Sequence, residues 1–344
     1  MKTDLSYRWI ETCPRREITY GEPEWVGNHK VEFHDRMSHY FPAKGVLFLK
    51  DAFLYGSQGV VRSKEGKSKS FLPILWPSQY ETKFKYFEKP HNTESLSGNV
   101  AAIFSPWAQT NYCHFVLDCL SRLKTLRDAG FDDKDISKYI LPIPPSGFCN
   151  ELVRRTDIDQ SKIIWAKDHD LFVCENLIVP SYPGSARTYD DTIKYIHSLR
   201  ENNFDLNKKR RIYIERGKSK RKILNNSQIY DVLDKYNFEI FDERSFEKAD
   251  KIFAEANLIV GAHGAGMANL IFCQPHTKVF EIMPSSWPTP FFFSLSKVLN
   301  LDYSCMLGIS EGNIFNDVNS CNANMTIEIP VFEKQIERLV LTSE

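Results

Sequence analysis

Three clusters of residues in this chain have the types and spacing to do chemistry. The first is Leu258-Ile-Val-Gly-Ala-His-Gly-Ala-Gly-Met-Ala-Asn-Leu270, where an apolar run breaks into small residues and one histidine before apolar periodicity resumes. It reads as a buried strand, a tight glycine loop and a helix start. Two uses fit such a loop. Glycines remove the Cβ atoms that hold a backbone away from a ligand, and the amides opening the next helix then point at an anion such as phosphate. Alternatively, Gly261, Gly264 and Gly266 only let a helix pack closely on a strand. The second cluster, Ile214-Glu-Arg-Gly-Lys-Ser-Lys-Arg-Lys-Ile-Leu-Asn225, puts Arg216, Lys218, Lys220, Arg221 and Lys222 directly after a strand. Arginine forks match phosphate oxygens and lysines add compact charge, although a charge run taken alone is equally a solvated loop. The third is Thr110-Asn-Tyr-Cys-His-Phe-Val-Leu-Asp-Cys-Leu-Ser-Arg-Leu123. On a helix His114 and Asp118 share a face, so the carboxylate can hold one imidazole nitrogen while the other deprotonates a hydroxyl. The same pair also suits a packing histidine, and Arg122 could compete for Asp118.

The elements that must position these clusters follow from the apolar pattern. Thr277-Lys-Val-Phe-Glu-Ile-Met-Pro284 reads as the strand after the glycine loop, with Glu281 near its carboxyl end. Ligands of open α/β sheets collect there, and a carboxylate one strand beyond a phosphate loop can accept ribose hydroxyls; a solvated glutamate is the plainer reading. From Asn99 onward strands alternate with helices: Val100–Phe104, a helix over Asn111–Asp128, then Tyr139–Pro142, Ile163–Trp165 and Asn176–Pro180. Beyond a turn-rich stretch at Ser181–Arg187 the alternation restarts with Arg211–Glu215, helix Ser227–Tyr236, Phe238–Asp242 and a helix capped by Ser245. Helices over Ser294–Asn300 and Val331–Leu341 complete it. Such alternation predicts parallel sheets. The domains expected are 1–182 (1–98 irregular and β-rich, with hairpins near Val46–Tyr55), 183–330, and a terminal helix 331–344.

Composition narrows the function classes. The 344 residues are 42% hydrophobic, enough for two buried cores. Lys plus Arg and Asp plus Glu are both 44, so no global basic field argues for nucleic acid. No apolar run matches a membrane span, and Met1-Lys-Thr-Asp-Leu-Ser-Tyr-Arg-Trp9 lacks the apolar core of a signal peptide. The expectation is a cytoplasmic protein, peripheral at most on the inner membrane face. Eight cysteines with no C-x-x-C pair read as reduced core residues.

The motifs N-Y-C-H-F-V-L-D-C-L-S-R-L, I-Y-I-E-R-G-K-S-K-R-K-I-L-N, F-E-I-F-D, and G-A-H-G-A-G-M-A-N-L-I-F followed by V-F-E-I-M-P resemble glycosyltransferase family 61 over about residues 99–290. The resemblance implies an α/β, GT-B-like architecture of two Rossmann-like domains facing a cleft. It also implies inverting transfer of a sugar from a nucleotide donor, commonly UDP-linked, such as UDP-xylose or UDP-N-acetylglucosamine. The acceptor would be a glycan or lipid-linked saccharide in surface or capsular polysaccharide synthesis. By this resemblance His114 and Asp118 are catalytic. Arg216, Lys220, Arg221, His263, Gly264, Ala265, Gly266 and Glu281 bind the donor, although arginine is more usual than lysine at 220. No cofactor or metal is expected. The triplets Asp133-Lys-Asp135, Asp157-Ile-Asp159 and Asp168-His-Asp170 are scattered rather than one cation site. Trp107, Tyr182 and Trp287 offer aromatic faces for sugar rings. The competing readings are a non-catalytic nucleotide- or sugar-binding module and another nucleotide-sugar enzyme, although no G-x-G-x-x-G opens a first βαβ unit.

Overall fold

The computed structural model describes residues 7–28, 38–57, 59–63, 89–105, 107–182, 189–217, 220–242, 247–311 and 322–343. The chain forms two units that interleave along the sequence: Met1–Glu17 with Tyr40–Leu199, and Ile18–His39 with Arg200–Glu344. Four short strands open it, β1 (Tyr7–Cys13), β2 (Arg16–Thr19), β3 (Glu24–Trp25) and β4 (Ser38–Phe41), of which β2 and β4 pair with each other.

The first unit is built on a mixed sheet. It continues with β5 (Lys44–Tyr55), β6 (Val60–Ser63), β7 (Asn92–Ala102), β8 (Lys138–Pro142), β9 (Ile163–Ala166) and β10 (Asp170–Pro180). The spatial order is β1-β5-β10-β7-β8-β9, with β6 also on β5. The half running from β10 through β7 and β8 to β9 is parallel, as the alternation predicts. The other half is antiparallel, and it comes from the opening segment. The hairpin expected near Val46–Tyr55 forms between β5 and β6, with β5 running longer than a hairpin arm needs. Its Val46, Leu47, Leu49, Ala52 and Leu54 are buried. Tyr139, Ile140 and Leu141 form a continuous buried run on β8, the signature of a strand covered on both faces.

The second unit carries β11 (Arg210–Ile214), β12 (Glu239–Phe241), β13 (Ala256–Ala262), β14 (Lys278–Pro284), β15 (Asp302–Ser310) and β16 (Met325–Thr326). Its order is β12-β11-β13-β14-β15-β16, with β3 also against β15. The five strands β11 to β15 are all parallel. Numbered within this unit, they run 2-1-3-4-5, a doubly wound order whose direction of winding reverses between β11 and β13. The terminal helix Ile329–Leu341 buries Phe332, Ile336, Leu339 and Val340 beside Ile229, Val232 and Leu233 of the helix Asn226–Lys235. That apolar stripe repeats at helical spacing. The helix before β13 covers Ala249–Ala254, and the cap expected at Ser245 lies outside the described residues, as do residues 183–188 of the turn-rich stretch. Among the described residues no helix is long and apolar enough to cross a membrane. The described cysteines are free thiols, nearly all buried.

Candidate functional site

In the second unit the residues converge where the winding reverses. Ile214 ends β11 opposite Gly261 of β13, so the chain leaves both strands side by side, at the carboxyl edge where such sheets bind ligands. Arg216 follows the first strand and His263-Gly264 the second. The guanidinium of Arg216 donates from Nη1 to the His263 carbonyl at 3.0 Å and from Nη2 to the Lys220 carbonyl at 2.5 Å. It thereby lies over Gly264, where a Cβ would stand 1.6 Å from Nη1. Gly264 is therefore a seat for the arginine. Gly261 and Gly266 serve differently: a Cβ would meet Ile214 Cβ at 3.0 Å in the first case and Ile214 Cγ2 at 2.8 Å in the second. In the structure all three glycines make room for side chains, Gly264 for Arg216 and the other two for Ile214.

The segment after the loop, Ala265–Phe272, is a 3₁₀ helix rather than an α-helix, and Met267 N donates to Gly264 O at 2.9 Å. Its opening amides keep the general property of a helix start, having no partner within the helix. The basic loop presents Arg216 and Arg221 half-buried and Lys220 and Lys222 exposed, while Lys218 is outside the described residues. Arg221 adopts φ +64°, and its amide donates to Asn322 O at 3.3 Å. Burial and then the nearby Arg221 charge push the Arg216 guanidinium down to about 10. It stays protonated at neutral pH, and both causes that disfavour its charge would be relieved by an anion.

Glu281 does not stand at the strand end. It lies within β14, level with Gly261, and is fully buried. One carboxylate oxygen accepts from His263 Nδ1 at 2.6 Å, and the other accepts from the Tyr303 hydroxyl at 2.5 Å. Tyr303, on the neighbouring β15, is held well above the ordinary phenol range by burial and then by the Glu281 charge, so it remains a donor. His263 packs on Phe292, ring centroids 5.1 Å apart. Burial lowers its pKa against the raising effect of Glu281, and Arg221 and Arg216 lower it further. The imidazole is therefore neutral at pH 7, with Nδ1–H on Glu281 and Nε2 facing away. Tyr303 was not readable in advance, because its nearness to Glu281 depends on the β14–β15 register.

A pH effect follows with a definite sign. Since the folded pKa of His263 is lowered, its contribution is intact above the ordinary imidazole value of about 6.5 and is lost as pH falls below it. While only the unfolded chain takes the proton, the loss is about 1.4 kcal/mol per pH unit. Urea unfolding at pH 7.5 and 5.5 should show a larger drop for wild type than for His263→Gln. Equal drops would disprove the assignment.

The first unit holds the other candidate pair. Asn111 Oδ1 accepts from the amides of Cys113 at 3.0 Å and His114 at 3.5 Å, which fixes the start of the helix. His114–Leu120 then winds as a π-helix, a rare form frequent at functional positions, before Arg122–Asp128 resumes α geometry. His114 Nδ1 lies 2.6 Å from Asp118 Oδ2. Asp118 is buried, while the His114 side chain keeps 20% of its surface exposed. Arg122 is fully buried and donates to the main-chain carbonyls of Asp118 at 3.0 Å and Pro180 at 2.8 Å. The acidic triplets are taken up by turns. Asp133 pairs with Lys162 at 2.7 Å, Asp135 closes a capping box, and Asp159 and Asp170 accept from nearby amides.

A family model described as Glycosyltransferase 61 matches residues 112–280. This region is a glycosyltransferase 61 domain. It takes in His114, Asp118, the basic loop and the glycine loop, and it stops one residue before Glu281. The chain is 30% identical over 97 residues to Beta-1,2-xylosyltransferase RCN11 of Oryza sativa subsp. japonica, covering 25% of this chain and 18% of that protein. It is 36% identical over 52 residues to a Beta-1,2-xylosyltransferase of Arabidopsis thaliana, covering 15% of this chain and 10% of that protein. The matched stretches thus span less than a fifth of either relative's length. The glycosyltransferase 61 match therefore rests on the same segments that carry the candidate residues.

Proposed function

We propose that this protein is an inverting glycosyltransferase that moves a sugar from a nucleotide donor to a glycan hydroxyl. The observation that carries the reading is the Arg216 guanidinium docked on the His263 carbonyl over Gly264, at the point where the sheet's winding reverses. Arg216, Arg221 and Lys220, with the amides opening Ala265–Phe272, form a cationic seat suited to a diphosphate. The donor is UDP-linked, UDP-xylose being the choice closest to the relatives' names and UDP-N-acetylglucosamine the other. In this reading the fold is GT-B-like, with His114 on the acceptor side and the diphosphate seat on the donor side.

His114, oriented by Asp118, takes the proton of the acceptor hydroxyl as its oxygen attacks the anomeric carbon. The bond to the diphosphate breaks on the opposite face, and configuration inverts in one displacement. Negative charge gathers on the leaving diphosphate, where Arg216 and its neighbours stabilise it without a metal ion. Glu281 acts through His263, holding its ring against the donor side. The acceptor belongs to surface or capsular polysaccharide, free or lipid-linked, and the second case would bring the protein to a membrane surface. A thermal-shift series tests the donor class: UDP should raise the midpoint, and GDP, CMP and NAD should not. Equal shifts by all four would end the uridine assignment, and transfer that vanished in EDTA and returned with Mn²⁺ would end metal independence.

A further inference from the structure

Trp107 occupies a position that packing alone does not account for. It lies on the turn before the His114 helix, at φ +63°, a backbone region that bulky residues rarely adopt. Its side chain is 37% exposed. The turn is held firmly in this form. The Trp107 carbonyl accepts from the amides of Thr110 at 3.0 Å and Asn111 at 2.9 Å and from Thr110 Oγ1 at 3.3 Å, and Ala108 N donates to Ser105 O at 3.1 Å. Asn111 then caps the helix that bears His114, so indole and imidazole are fixed by one short run of backbone. The two rings lie 5.3 Å apart, centroid to centroid, at 46°. Strained backbone that presents an aromatic to solvent persists where the surrounding bonds over-determine it, and such positions cluster at binding sites.

We propose that Trp107 and His114 form one saccharide platform, the indole taking the C–H face of an acceptor pyranose while imidazole Nε2 meets the hydroxyl on the same ring. Pyranoses suit this pairing because one face is a patch of C–H groups and the rim is hydroxyl, which an amphipathic indole and a polar nitrogen match. Asp118 on Nδ1 fixes the orientation of the imidazole beside the indole. The 46° between the ring planes makes the pair a bent surface rather than a flat stack. The proposal rests on the transferase reading for the identity of the acceptor, but its binding step is separately measurable.

Saturation-transfer NMR on the full chain, with methyl β-D-xylopyranoside and methyl β-D-glucopyranoside as probes and UDP in the same samples, decides it. Wild type should pass saturation to the ring C–H protons of one sugar face. Trp107→Asn keeps a residue that tolerates positive φ and removes the indole, and it should weaken the saccharide signal about fivefold or more. Trp107→Phe keeps an aromatic face and should retain most of it. Equal saccharide signals in wild type and Trp107→Asn, or none in wild type, would overturn the platform. The UDP signal should be the same in all three proteins. Its absence from wild type would count against the donor assignment alone, with the saccharide signal still reporting on Trp107.

Discussion

His114→Ala should lower kcat by about 10²- to 10⁴-fold, the usual contribution of a positioned general base, while leaving UDP affinity unchanged. The separation is expected because His114 lies in the first unit and the cationic seat in the second. The histidine's neighbours identify which nitrogen works. Nδ1 is 2.6 Å from a buried carboxylate, so the neutral ring carries its proton there and offers Nε2 as acceptor. Asp118→Asn would then disturb the tautomer, and its loss should approach that of the alanine variant. Single-turnover transfer measured beside UDP titrations gives both quantities. Wild-type rates in His114→Ala would place the base elsewhere. A wild-type protein that binds UDP but transfers from no nucleotide sugar would make the chain a binding module.

Arg216→Ala should weaken UDP binding by about 10- to 100-fold, the range for hydrogen bonds to a charged group, and slow transfer further because charge grows on the leaving diphosphate. Gly264→Ala tests the same contact from the other side. Gly264 has φ 174°, extended backbone that alanine adopts without strain, so the substitution acts only through its Cβ. That atom would lie 1.6 Å from Arg216 Nη1, the far end of a flexible side chain. The guanidinium must swing away, and the fold should survive. UDP affinity should fall in Gly264→Ala with little change in the unfolding midpoint, as judged by calorimetry and thermal melts. Arg216→Lys keeps charge without the fork and should recover part of the affinity. Full UDP affinity in both Arg216→Ala and Gly264→Ala would move the diphosphate away from this loop.

Local pattern foretold the second unit well. Strands β11 to β14 and the helix Asn226–Lys235 follow from apolar runs punctuated by polar turns, a signal held within short windows, whereas β15 was not read. The His114–Asp118 contact was legible because four residues on a helix bring two side chains together. What sequence could not supply was register and partner. Glu281 looked like a strand-end carboxylate open to ribose, yet parallel pairing sets it beside Gly261 and turns it onto His263 and Tyr303. The glycines divided their labour through contacts with Ile214 and Arg216, residues more than forty positions earlier. The π-helical winding from His114 and the positive φ at Trp107 leave no compositional trace. In the opening segment the hairpin of β5 with β6 was legible, but the pairing of β5 with β10, over a hundred residues later, was not.

Strand β3, Glu24–Trp25, is made among the first residues of the chain and lies against Ser304 and Cys305 of β15, with Val26 N donating to Cys305 O at 2.8 Å. Its flanks on either side, Met1–Glu17 and Tyr40–Leu199, belong to the other unit. A ribosome therefore releases this edge strand long before its partner exists. Loop closure across such a span costs little more than across a shorter one, since the entropy grows only logarithmically with length, but the wait is real in time. At about 5–20 residues per second, Glu24–Trp25 stays unmatched for on the order of tens of seconds. No single cut frees the second unit as a continuous piece: a fragment starting at Arg200 would expose the β15 edge that β3 covers, leaving unpaired backbone for association with other chains.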